Sequence, residues 1–107
     1  IMWRWRFRKR GPGRPFSYIY IQNLPKVREF VPRPFQNKEP IELSYPELEV
    51  LRLCDLEKFT QEEAAKIMKT SRGTVWRLLE SAREKIAKAL TEGRPILISS
   101  EGEIEEV

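Results

Sequence analysis

The chain has 107 residues, enough for one domain with one modest core, and carries 20 Lys/Arg against 16 Asp/Glu for a net charge of +4. It contains no histidine and a single cysteine, Cys54, so the commonest general base and transition-metal ligand are missing together and no internal disulfide can form. These features argue against an enzyme, a metal site or a bound cofactor, and the absence of a run of eighteen apolar residues argues against a membrane span.

The charge is unevenly spread. Residues 1–38 hold ten Lys/Arg and one acid, Glu29, whereas residues 39–107 hold ten bases and fifteen acids. A basic N-terminal segment of this kind suits a polyanion partner. Residues 1–16 are expected to form a mobile Trp/Arg-rich arm that lacks the apolar stretch of a signal peptide. Its candidate contacts to phosphates or the minor groove are Arg4, Arg6, Arg8, Lys9, Arg10 and Arg14. Gly13-Arg14-Pro15 resembles a hook that lies along A·T-rich minor grooves, where arginine meets a strong negative potential. The Trp/Arg alternation also fits a membrane-surface peptide, a reading ranked below nucleic acid.

Tyr18-Ile19-Tyr20-Ile21 is β-prone and predicts a strand over 17–22. Pro25, Pro32, Pro34 and Pro40 then favour an extended wrap through residue 40. Ser44-Tyr45-Pro46-Glu47 fits a capping box and opens a helix over about 45–57. That helix is apolar on most sides and therefore calls for cover by the wrap or by a second subunit. Thr60-Gln61-Glu62-Glu63 is a second capping box, for a short helix over 61–68 whose Ala64 and Ala65 allow close helix packing. Ser71 caps a third helix over about 72–90, with Val75, Leu78, Leu79, Ala82, Ile86 and Ala89 as its buried stripe. Gly93 and Pro95 end it. Residues 95–99 predict a strand that pairs with 17–22 or with Ile41-Glu42-Leu43, and 100–107 an acidic, frayed tail.

Two helices joined by a tight turn, the first short and the second capped by serine and bearing outward arginines, form the pattern of a helix-turn-helix. Arg77 lies about 160° from the centre of the apolar stripe at ~100° per residue. Arg72 and Arg77 are the candidates for bidentate guanine contacts. Thr74 suits a thymine methyl or a phosphate, and Gly73 allows close backbone approach. Trp76 flanks the stripe and is expected at the core edge, with base contact as the alternative. Ser71, with the free N–H groups at the helix start, suits a phosphate. Gln61 and Lys69 complete the backbone contacts. Glu80 is expected to pair with Arg83 or Arg77.

The residues Leu48 to Glu57, Gln61-Glu62-Glu63-Ala64-Ala65, Ser71-Arg72 and Leu79 to Ala87 together resemble a small prokaryotic family of unknown function. Its helix-turn-helix is similar to region four of bacterial sigma factors. The resemblance covers residues 13 to about 98 and implies a DNA-binding protein with no assigned activity or cofactor. By position, it assigns promoter-reading places to Arg72, Gly73, Thr74, Trp76 and Arg77. The chain departs from the pattern at Lys69, where glycine is usual, at Thr70, where an apolar residue is usual, and at Gly73, often a glutamine.

The expected fold is mostly α. A three-helix core, like sigma region four, carries short flanking strands and an extended Pro-rich basic arm. The expected function is sequence-specific binding of double-stranded DNA by a cytoplasmic, nucleoid-located transcriptional regulator. Alternatives are a module docking on RNA polymerase or another regulator, and an RNA-binding protein. A homodimer is open in each case.

Overall fold

The computed structural model describes residues 2–7, 17–99 and 101–107. Three helical segments pack with two three-stranded sheets. Strand β1 (Trp3–Arg6) lies between β2 (Ile19–Ile21) and β6 (Glu103–Glu106), antiparallel to both. The second sheet has the order β3 (Glu29–Phe30), β5 (Ile96–Ile98), β4 (Ile41–Leu43). In it β5 pairs parallel with β4 and antiparallel with β3. The closing strand thus chooses Ile41–Leu43 and not the strand at 19–21.

The first sheet departs from the expected mobile arm and frayed tail. Residues 3–6 form its central strand, and four residues of the acidic tail form its edge. Alternation explains the strand: successive side chains of a β-strand point to opposite faces. Trp5 is 2% exposed and Ile21 1% exposed on the inner face. The Trp5 indole N–H donates to the Glu101 carbonyl at 3.0 Å. Gly102 turns the chain over this tryptophan at φ +98, where an added Cβ would lie 2.7 Å from the Arg6 carbonyl and from the indole. Arg8, Lys9, Arg10 and Arg14 fall outside the described residues.

Helix α1 (Tyr45–Val50) starts at the predicted capping box, in which the Ser44 hydroxyl accepts from the Glu47 N–H and Glu47 accepts from the Ser44 N–H. It does not continue as a regular α-helix to Glu57. Residues Leu51–Leu56 widen into π-helix, with the Glu57 N–H donating to the Arg52 carbonyl five residues back. Leu53 is fully buried, while Leu56 is left 74% exposed. Helix α2 (Gln61–Met68) carries the Thr60–Glu63 capping box. It ends at Lys69 in a left-handed conformation, φ 53. Such a conformation costs lysine roughly 1 kcal/mol more than glycine. Helix α3 (Arg72–Glu92) is capped by the Ser71 hydroxyl accepting from the Thr74 N–H at 3.1 Å.

The main core joins Val50 and Leu53 of the first helical segment, Ala64, Ala65 and Met68 of α2, and Val75 and Leu79 of α3. The two alanines let α2 approach α3 closely. A second cluster of Leu43, Ala82 and Ile98 seats the β4–β5 sheet on the middle of α3. The wrap is tied to the end of α3, where the Gln36 N–H donates to the Gly93 carbonyl at 3.2 Å. Gly93 sits at φ +62, and an added Cβ would meet Gln36 Cγ at 2.8 Å, so both the turn and the close approach require glycine. No helix among the described residues is long and apolar enough to cross a membrane.

Candidate functional site

Two buried carboxylates set the orientation of α3 and of the first sheet. Glu47 is 4% exposed. It accepts from the Ser44 N–H and from Lys85 Nζ, each at 2.8 Å, and from the Ser81 hydroxyl. Burial alone would raise its pKa, but the Lys85, Ser81 and Ser44 hydrogen bonds prevail and hold it below the usual carboxylate range. Glu47 therefore locks α1 to the middle of α3. Glu49, 3% exposed, accepts from the Gln22 N–H at 2.7 Å and from Arg52 Nη2 at 3.0 Å, joining β2 to α1. On the far side, Asp55 takes a two-pronged contact from Arg83 at 2.6 and 3.1 Å. The expected pairing of Glu80 with Arg83 or Arg77 is not formed: Asp55, in the π segment, holds the Arg83 guanidinium instead.

With α3 held in this way, Val75, Leu79 and Ala82 turn inward and the opposite side of its first half faces outward. Ser71, Arg72, Gly73, Trp76 and Arg77 are exposed and Thr74 is half-buried. The Ser71 hydroxyl donates to Thr74 Oγ1 at 2.9 Å, and Arg77 Nη2 donates to the same oxygen at 3.3 Å. Ser71, Thr74 and Arg77 thus form one hydrogen-bonded ridge. Among the described residues neither Arg72 nor Arg77 has a carboxylate partner, whereas Arg4, Arg6, Arg52, Arg83 and Arg94 each have one. A Cβ added to Gly73 would meet nothing nearer than Arg77 Nη1 at 3.6 Å. The fold does not require glycine there, although glycine in a helix costs about 1 kcal/mol against alanine.

Trp76 is 53% exposed and does not pack at the core edge as expected. The core closes over Val75 and Leu79, and one residue is about 100° of helical turn, which carries the indole out to solvent. Lys69 sits 4.5 Å from the Tyr20 ring centre, a cation–π contact that ties the α2–α3 connection to β2. Gln61 is half-buried in the first turn of α2.

Arg4 and Arg6 are not free. Both guanidiniums lie over the Tyr18 ring, at 4.3 and 4.6 Å from its centre. Arg4 pairs with Glu105, and Arg6 pairs with Glu103 at 3.1 Å. The strand periodicity of Trp3-Arg4-Trp5-Arg6 was the signal for this arrangement, mirrored by Glu103-Ile104-Glu105.

Among the described residues no group of three or more His, Cys, Asp or Glu side chains is placed to hold a metal ion. Burial pushes the Cys54 thiol up, away from the reactive thiolate.

A model described as a protein of unknown function, DUF134, matches residues 2–107, and the chain belongs to that family. Its relatives carry the name UPF0251 protein. One from Archaeoglobus fulgidus is 46% identical over 104 residues, spanning 97% of this chain and 98% of its own length. One from Pyrococcus furiosus is 47% identical over 95 residues, spanning 86% and 88%. One from Thermococcus kodakarensis is 54% identical over 78 residues, spanning 70% and 69%. No solved structure matches the chain significantly.

Proposed function

We propose that α2, the Lys69–Ser71 connection and α3 act as a helix-turn-helix, similar to that of sigma region four, which binds double-stranded DNA as a transcriptional regulator. One observation carries this reading: Arg72 and Arg77 are exposed without carboxylate partners on the first half of a serine-capped helix, with an unobstructed glycine between them. In the proposed complex the first half of α3 lies in the major groove. Arg77, and Arg72 at the helix start, reach guanine O6 and N7. Gly73 lets the helix backbone come close. Ser71, Gln61 and Lys69, with the open N–H groups of the first turn, take phosphates. Trp76, being exposed, is available to a base edge or sugar. Arg8, Lys9, Arg10 and Arg14, in the sequence between β1 and β2, add phosphate or minor-groove contacts that strengthen binding evenly across sequences.

Selection from a random pool of duplex DNA tests this reading. A shared motif should emerge with the native chain and blur with Arg77→Ala. Recovery of unrelated sequences by both proteins would contradict sequence-specific reading.

A second reading has its own support. An open cavity of about 750 Å³ lies between the first helical segment and the start of the wrap. Trp3, Leu24, Pro25, Leu48, Leu51 and the exposed Leu56 line it. Such an apolar groove suits a protein partner, such as RNA polymerase, another regulator or a second copy of this chain. A stable complex with a protein, together with no duplex binding at low salt, would favour that reading.

A further inference from the structure

The outer face of the first sheet is a continuous track of cationic and aromatic side chains. Across the strands Tyr20 stands beside Arg4, Arg4 beside Glu105, and Arg6 beside Glu103. Tyr18, just before β2 and two residues from Tyr20, lies on the same side, and both guanidiniums lie on its ring. At the other end of the track the Tyr20 ring carries Lys69, the residue that joins α2 to α3. Lys69, Tyr20, Arg4, Tyr18 and Arg6 therefore lead directly from the proposed helix-turn-helix across the sheet.

The acidic edge strand covers the outer part of this track. All four residues of β6 are exposed, so the strand buries little for its own sake. Its backbone pairs with β1, and two of its three carboxylates, Glu103 and Glu105, pair with the guanidiniums. The Tyr18 hydroxyl also donates to Glu105 at 3.1 Å. Carboxylates spaced two residues apart on a strand present negative charge about 7 Å apart on one face. They neutralise an arginine pair that would otherwise be open to a phosphate backbone.

We propose that the Arg4–Arg6–Tyr18 face of the first sheet is a second contact surface for the phosphate backbone of duplex DNA, and that Glu103 and Glu105 of β6 are its built-in competitors. This rests on the DNA-binding reading of α3. DNA engaged by α3 reaches the track through Lys69 and exchanges its phosphates for the two carboxylates. The paired state keeps the surface from holding polyanions without selection. Affinity is then set by α3 first and by the sheet second.

Duplex binding by the full chain, followed by fluorescence anisotropy over a salt series, tests the proposal. Glu103→Gln/Glu105→Gln keeps the backbone pairing and removes both carboxylate charges. It should bind about three- to tenfold tighter at low salt, and log K should fall more steeply with log salt by up to about 1.8, or ~0.9 for each added phosphate contact. Adding Arg4→Gln/Arg6→Gln should abolish the gain. Glu29→Gln/Glu39→Gln, an equal charge change elsewhere, should give a smaller gain. If the double variant is poorly folded by thermal melting, Glu105→Gln alone should still tighten binding by about half as much on a logarithmic scale. A native chain that binds duplex DNA, with Glu103/Glu105 variants no tighter than the Glu29/Glu39 control, overturns this inference and leaves the α3 reading standing. Absence of duplex binding by every variant overturns both. Preferential tightening for single-stranded RNA overturns the assignment to duplex DNA.

Discussion

Arg72 and Arg77 on α3, and Arg4 and Arg6 on β1, are the same side chain in two electrostatic settings. The pair on α3 is exposed, Arg77 bonded only to the Thr74 hydroxyl, and neither has a carboxylate partner among the described residues. The pair on β1 is stacked on a tyrosine and matched one-for-one with glutamates from the other end of the chain. Net charge therefore misleads here. The basic N-terminal segment looks like the stronger polyanion site in sequence, but its first two arginines are already engaged. Availability, and not the number of cations, separates the α3 pair, proposed above as the reading surface, from the held pair on β1.

Removing Trp5 should break the held side of this comparison most severely. The indole is the buried centre of the first sheet, so Trp5→Ala should cost about 3–5 kcal/mol and show as a large fall in melting temperature. It should also release β6, which is anchored by the indole hydrogen bond to Glu101. Chemical denaturation with retained stability would show that the sheet contributes little to the fold.

On the free side, Arg72→Ala/Arg77→Ala should lower duplex affinity by about 2–4 kcal/mol, as each bidentate base contact is worth roughly 1–3 kcal/mol. Melting temperature should scarcely change, since neither side chain is buried. A similar loss from Arg83→Ala, whose guanidinium is held by Asp55, would erase the distinction between paired and unpaired arginines.

Glu47 links the two sides because it fixes the orientation of α3. Its pKa is lowered in the fold, so its contribution is present above the unfolded carboxylate value and is lost as pH falls through the folded value. Stability should therefore decline on acidification below the usual carboxylate range. Glu47→Gln should cost about 1–3 kcal/mol at neutral pH and flatten that decline. An unchanged pH profile in denaturant titrations would remove Glu47 from this role.

The smallest effect is the most selective. Gly73→Ala should stabilise the fold by about 0.5–1 kcal/mol, because the added methyl has room and alanine is the better helix former. It should nevertheless weaken duplex binding if the backbone approaches DNA there. Tighter binding with the stabilised helix would show that Gly73 serves no contact.

Local chemistry was legible in the sequence where it stayed local. Ser44, Thr60 and Ser71 marked their helices through side chains that cap N–H groups three residues on, and α2 spans the predicted Gln61–Met68. The outward face of Arg77 followed from the 3.6-residue period. What was missed depends on distant partners. Trp3 pairs with Glu106 across almost the whole chain, and no local pattern announces that registration. The Trp/Arg alternation did carry a strand period, but its charge drew the reading toward a free arm. The cation–π contact of Lys69 with Tyr20 and the Arg83–Asp55 pair were hidden for the same reason. The π-helical widening of Leu51–Leu56 has no evident signature in its residues.

The proposed DNA-reading surface rests on the unpaired arginines of α3. Salt-dependent anisotropy on one selected duplex, comparing the native chain with Arg72→Ala/Arg77→Ala, tests it most directly. A loss of about 30-fold or more is expected at moderate salt, with sequence preference falling alongside it. Equal affinity and equal preference for both proteins would contradict it.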